Sequence, residues 1–156
     1  MTRKDLQDAL VKETKELLKD VWAKNSLGED VQAQVFPQRL PVMTEDEDDE
    51  TKLFPYAIVR LGDAKTAGDE DTWHVTVDWL LGVYDDERKG QGHLHILTMI
   101  ERITNRFIAE PLLDHRYRAE QDMETALQDE DTYPFYFGGV EITFSIPKVG
   151  RRDEYA

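Results

Sequence analysis

Four histidines, thirty-three carboxylates and no cysteine supply the chemistry available to this 156-residue chain. Without cysteine, disulfides and thiolate chemistry are excluded. His93 and His95, in "GHLHILTMIE", form the one histidine cluster worth testing as a metal site. On a helix, residues two apart diverge by about 200° and cannot share an ion. Zinc sites also carry tighter spacing or cysteines. A histidine pair at a helix start is the expected role, with no metal or cofactor. The chain carries no Gly-x-Ser-x-Gly, P-loop or Rossmann glycine pattern, and the lone "GQG" at 90–92 is too short to count. Carboxylates abound, but nothing in the sequence holds two of them in an apolar setting where their pKa values would diverge. The chain is not expected to be an enzyme.

What remains are surfaces. "DEDTYPFYF" places Tyr133, Phe135, Tyr136 and Phe137 within five positions of one another, beside an acidic turn. Aromatic residues dominate interface hot spots, so Tyr133, Phe135 and Tyr136 are candidates to anchor a partner, against the plainer role of pinning a sheet edge to helices. Arg116 and Arg118 share one face of a strand-like stretch in a very acidic chain. They are candidates to contact a neighbouring subunit's carboxylates, against the plainer role of an exposed ion pair worth little. Six consecutive acids, Glu45, Asp46, Glu47, Asp48, Asp49 and Glu50, make a self-repelling block, expected to be a mobile loop over 43–53. A calcium loop would need a glycine and spaced oxygen ligands that this run lacks.

The formal net charge of -14 repels nucleic-acid phosphates and anionic membranes, so direct sequence-specific nucleic-acid binding is not expected. No apolar run approaches the roughly 20 residues of a membrane span, and "MTRKDLQDALVKE" lacks the apolar stretch of a signal peptide. A soluble cytoplasmic protein is the default. Beyond solubility, such acidity suits a surface along which DNA slides without sticking, or one that imitates DNA.

Positioning these residues requires elements that the hydrophobic periodicity defines. Leu6, Leu10, Leu17, Leu18, Val21 and Trp22 predict a helix from a Thr2 cap to about Asn25, stopped by "NSLG". "VQAQVF" predicts a short strand, and "FPYAIVRLG" another. "HVTVDWLLGVY" sets Val75, Val77, Trp79, Leu81 and Val83 on one face and His74, Thr76, Asp78, Leu80, Gly82 and Tyr84 on the other. A second helix follows, with Ile96, Leu97, Ile100, Ile103, Phe107 and Ile108 as its buried stripe. "DHRYRAEQD", continued by "METALQ", is strand-like. Val140, Ile142, Phe144 and Ile146 alternate strictly with Glu141, Thr143 and Ser145, and Gly138 and Gly139 allow close approach where that last strand begins. The expected fold is a single α+β domain over 1–156 with a C-terminal tail at 150–156. A mostly antiparallel or mixed sheet of about five strands carries two amphipathic helices on one face, in the order α-β-β-β-α-β-β.

Three segments, "FPYAIVRLGD", "VTVDWLLGVYDDERKGQGHLHILTMIERI" and "DEDTYPFYFGGVEITFSIPKV", resemble the small tail proteins of long-tailed bacteriophages and prophages. Within that set the helix–sheet order is similar to the tail-terminator proteins, which complete the tail and join it to the head. The resemblance covers roughly residues 30–149, and the acidic insertion at 45–50 and the "GRRDEYA" tail depart from it. It implies a virion subunit, assembled in the host cytoplasm, that closes into a homo-hexameric ring on the tail tube and meets the tube protein and a neck or head-completion protein. An acidic lumen around the passing genome would follow. Another neck, connector or minor tail protein is the near alternative. An acidic DNA mimic that occupies a DNA-binding enzyme is the alternative from a different class.

Overall fold

The computed structural model describes residues 2–42 and 50–149. The chain runs α1 (Arg3–Leu17), β1 (Trp22–Lys24), β2 (Asp30–Gln32), β3 (Gln34–Pro37), a 3-10 turn (Glu50–Leu53), β4 (Tyr56–Lys65), β5 (Thr72–Tyr84), α2 (His93–Ala109), β6 (Leu112–Leu113), β7 (Tyr117–Leu127) and β8 (Phe135–Pro147). This is an α+β fold. Its strands are more numerous than the sequence suggests: six form one sheet in the order β3-β4-β5-β8-β7-β6, and β1 and β2 make a separate hairpin. The large sheet is mixed, since β3 runs parallel to β4 while the other neighbours are antiparallel.

Thr2 caps α1 as its sequence predicts. Its hydroxyl accepts the Asp5 backbone N–H at 3.1 Å, and the Asp5 carboxylate accepts the Thr2 N–H at 3.0 Å. The helix stops at Leu17, short of the expected Asn25. "NSLG" is instead the turn of the β1–β2 hairpin. The Asn25 side chain accepts the N–H groups of Leu27 and Glu29, both at 3.0 Å, and Gly28 takes the left-handed conformation at φ 79. Trp22 therefore lies on the outward side of a strand and is 56% exposed rather than buried. "VQAQVF" is likewise divided, with Val31 in β2 and Val35 in β3.

Both helices lie on one face of the sheet. A single core joins Leu6 and Leu10 of α1, Ile96, Met99, Ile100, Ile103 and Phe107 of α2, and the inward alternation of β5 and β8. Each large apolar side chain so buried contributes about 1.5–3 kcal/mol. Ile108, expected in this stripe, is 67% exposed because it sits one residue, about 100° of helix, beyond Phe107; Met99 takes the inner position instead. At the centre Trp79 meets Phe107 and Phe144 with ring centroids 5.9 and 6.2 Å away. Gly138 is needed for contact with α2, since a Cβ there would lie 2.5 Å from Cγ2 of Ile96.

On the opposite face a second, aromatic cluster covers one end of the sheet. Phe54, Tyr56 and Ile58 are buried there against Phe36, Leu80, Tyr84, Phe135 and Phe137. The remainder of that face is polar. Along β7 the pairing slips: Ala119 faces Phe144 and Met123 faces Ile142, so β7 takes four steps where β8 takes two. The bulge carries Glu120, Gln121 and Asp122.

Candidate interaction surfaces

The residues singled out in the sequence fall into two groups at opposite ends of the sheet. Arg118 lies opposite Ser145 near the end of β8, whereas Phe135 opens the same strand. Ten strand residues separate these positions, about 33 Å.

At the aromatic end, Tyr133, Phe135 and Tyr136 line a cleft of about 720 Å³ together with Arg88, His93 and Leu127. The three aromatics point to different places: Phe135 and Tyr136 alternate at the start of β8, and Tyr133 stands in the turn before it. Phe135 faces the open side of the sheet and packs against Phe54 at 5.3 Å and Tyr84 at 5.6 Å between centroids, so most of it serves the aromatic cluster. Tyr136 faces the helices and fills the space over Gly92, where a Cβ would come 2.4 Å from its ring. Tyr133 is the exposed one at 47%, and its hydroxyl donates to the Asp86 carbonyl at 2.5 Å. That bond ties the β7–β8 turn to the loop after β5 and fixes where the acids of both loops stand.

At the other end, both arginines are exposed, but they do not share one strand face as expected: Arg118 lies on β7 between the buried Tyr117 and Ala119, whereas Arg116 belongs to the turn that precedes the strand. Neither arginine forms an ion pair among the described residues. Asp114 and His115, in the turn leading into β7, both take left-handed backbone conformations, at φ 53 and 56. This tight reversal brings Arg116 beside α1.

Two charged arrangements on the open face escaped the sequence, because strand register decides them. Asp78, Glu141 and Glu124 stand directly opposite one another across β5, β8 and β7. Burial first, then the charges of Asp78 and Glu124, raise the Glu141 carboxyl above its ordinary 4.5. Arg60 faces Asp78 from β4 but donates its Nε–H to the Gln38 carbonyl at 3.0 Å. Nearer the arginine end, the His74 ring lies between two carboxylates, with Nδ1 at 2.6 Å from Glu120 and Nε2 at 3.2 Å from Glu70. Two carboxylates on two ring nitrogens require the doubly protonated ring, and the His74 pKa is raised, chiefly by the Glu120 hydrogen bond.

His93 and His95 sit in the first turn of α2, and no group of three or more His, Asp or Glu side chains among the described residues is arranged to hold a metal. Glu45, Asp46, Glu47, Asp48 and Asp49 lie outside the described residues; Glu50 opens the 3-10 turn. No helix of the described chain is long and apolar enough to cross a membrane. No family model matches the chain, and no curated protein matches it in sequence.

Proposed function

We propose that the chain is a non-enzymatic structural subunit of a long bacteriophage tail, a tail terminator that closes into a ring on the end of the tail tube and presents a surface to a neck protein. The observation that carries this reading is the separation of its candidate contact residues. Tyr133 with its acidic turn and Arg116 with Arg118 occupy opposite ends of one continuous sheet. A molecule that associates through a single patch makes a two-fold dimer, whereas two distinct patches on one rigid body generate rings or open chains. The resemblance of the "FPYAIVRLGD", "VTVDWLLGVY" and "YFGGVEITFSIP" segments to tail proteins selects the ring. The net charge of -14 suits a lumen through which DNA passes without adhering.

The test is light scattering after size exclusion, over a wide concentration range, with negative-stain imaging of each fraction. Rings of about six subunits with a central hole are the expected result. A particle that remains monomeric both alone and beside polymerised tail tubes would reject the reading.

A second reading has one observation in its favour. Asp78, Glu141 and Glu124 form a row of like charge on an uncovered face, as a mimic of a phosphate backbone requires. The row is three residues long and ends at Arg60, and the other acids cluster in turns. Competition with DNA for a DNA-binding enzyme would separate the two functions.

A further inference from the structure

The side of β7 that points away from β8 has no strand neighbour past Arg118 among the described residues, because β6 pairs only with Tyr117 and Arg118. Beyond the bulge, Met123 to Leu127 keep regular register with β8, so they offer an ordered ladder to one more strand. Register specifies what that strand must carry. Glu124 lies on the open face, at the end of the row that starts at Asp78 and passes through Glu141. Like charges set directly opposite destabilise one another, so the position beyond Glu124 suits a cation. Leu127 pairs with Gly138 on the helix face and is 41% exposed, so the position beyond it suits an apolar side chain. From Arg118 to Thr132 the chain holds six carboxylates against the single cation Arg118, which calls for a basic occupant.

The chain carries such a segment just after β8. Lys148, Val149, Gly150, Arg151 and Arg152 include three cations and no acid, and Val149 is 86% exposed. Laid antiparallel to β7 with Arg152 opposite Glu124, the segment sets Val149 opposite Leu127 and Lys148 beside the acidic β7–β8 turn. Both demands are met in one register. Asp153 then falls past Glu124, where the bulge ends the ladder and Arg118, without an ion pair among the described residues, lines a groove of about 810 Å³. The same molecule cannot supply the strand. Its Lys148 N–H is bound to the Asp71 carbonyl at 2.8 Å, and Val149 lies eleven residues, about 36 Å, along the chain from Gly138, the partner of Leu127.

We infer that the bare edge of β7 at Met123 to Leu127 receives Val149 to Arg152 of a second copy as an added antiparallel strand, with Arg152 paired to Glu124. The donor leaves one end of the sheet and the acceptor edge leads into the turn at the other end, so the contact is heterologous and repetition closes a ring or extends a chain. It rests on the ring reading above and gives that ring its joint.

Sedimentation velocity on the full chain, from dilute solution to about 1 mM, where weak contacts are populated, tests the joint. Glu124→Lys and Arg152→Glu each weaken self-association about tenfold, and combining them restores it. Added salt weakens the wild type, and an excess of a peptide of residues 148–156 dissolves the assembly by occupying the edge. Hydrogen exchange reads the strand itself: the outward amides between Met123 and Leu127 slow on association. Glu124 is exposed, and thermal melting checks that each variant folds. Association indifferent to the single reversals, a double variant no better than the singles, or unchanged exchange between Met123 and Leu127 overturns this edge as the joint while leaving the ring reading intact. A wild type monomeric at every concentration also overturns the joint, and one that stays monomeric beside polymerised tail tubes overturns the ring as well.

Discussion

The indole N–H of Trp79 donates to the Thr14 hydroxyl at 3.0 Å, and that hydroxyl donates in turn to the Leu10 carbonyl at 2.7 Å. Trp79 is fully buried on β5 and Thr14 is 1% exposed on α1, so this relay is a polar joint inside an apolar core. It specifies how α1 sits on the sheet, because only one rotation of the helix brings Thr14 over the indole.

Thr14→Val keeps the shape and removes the acceptor, leaving a buried indole N–H unpaired. The expected loss is about 1–3 kcal/mol in urea denaturation, with an unchanged slope against urea. Thr14→Ser, which keeps the hydroxyl, loses clearly less. Equal losses for the two would show that the methyl group, and not the hydrogen bond, holds the joint.

Gly138→Ala forces a methyl group to within 2.5 Å of Ile96 and 2.9 Å of the Ala126 carbonyl. Either α2 lifts or β7 shifts, at a cost of about 1–3 kcal/mol. Trimming Ile96 to Ala in the same chain recovers part of the loss that Gly138→Ala adds. Additive losses in a double-mutant cycle would place the strain on the β7 side instead.

His74 couples the β4–β5 turn to the β7 bulge through Glu70 and Glu120. Lys65 is its cross-strand neighbour on the other side, and burial is what opposes protonation. The folded pKa is raised above the ordinary 6.5, so the stability it contributes is fully present below 6.5 and is lost as pH rises through the folded value. NMR titration should place the His74 midpoint above that of an unfolded chain, and Glu120→Gln should lower it. A midpoint at the unfolded value would show that the clamp does not hold in solution.

Glu141 carries the opposite burden. Its raised pKa means that ionising it costs stability as pH climbs past 4.5, since Asp78 and Glu124 flank it. Glu141→Gln should stabilise the protein at neutral pH by about 0.5 kcal/mol, a small gain because an exposed carboxylate is screened by water. Below the ordinary carboxylate range the advantage should vanish. A constant difference across pH would assign the gain to something other than charge.

Much of this architecture was readable because burial imposes its period on the chain. The inward faces of β5 and β8 alternate at every second residue from Val75 to Val83 and from Val140 to Ile146, and each of those positions is buried. Local rules also marked the Thr2 cap. What failed were segments where short-range signals conflict. Trp22 continues the apolar stripe of α1, yet Asn25 and Gly28 bend the chain into a hairpin that the stripe alone cannot reveal. Phe135 and Tyr136 are adjacent in sequence and divided in space, because alternation sends neighbours to opposite faces, and Tyr133 is set apart from both by the turn that holds it. The row of Asp78, Glu141 and Glu124, and the His74 clamp, depend on which strands lie side by side, and that is decided by the whole chain rather than by any window of it.

The slip in β7 has a consequence for the protein's life at high concentration. Past the two residues of β6, the outer side of β7 has no neighbour in the sheet, and a long bare edge is a template on which other chains can stack into fibrils. The bulge cuts that template short. Glu120, Gln121 and Asp122 interrupt the ladder and place two negative charges on it, leaving only the stretch from Met123 to Leu127 in regular register. Such an interruption discourages open-ended strand stacking on this edge, however concentrated the protein becomes.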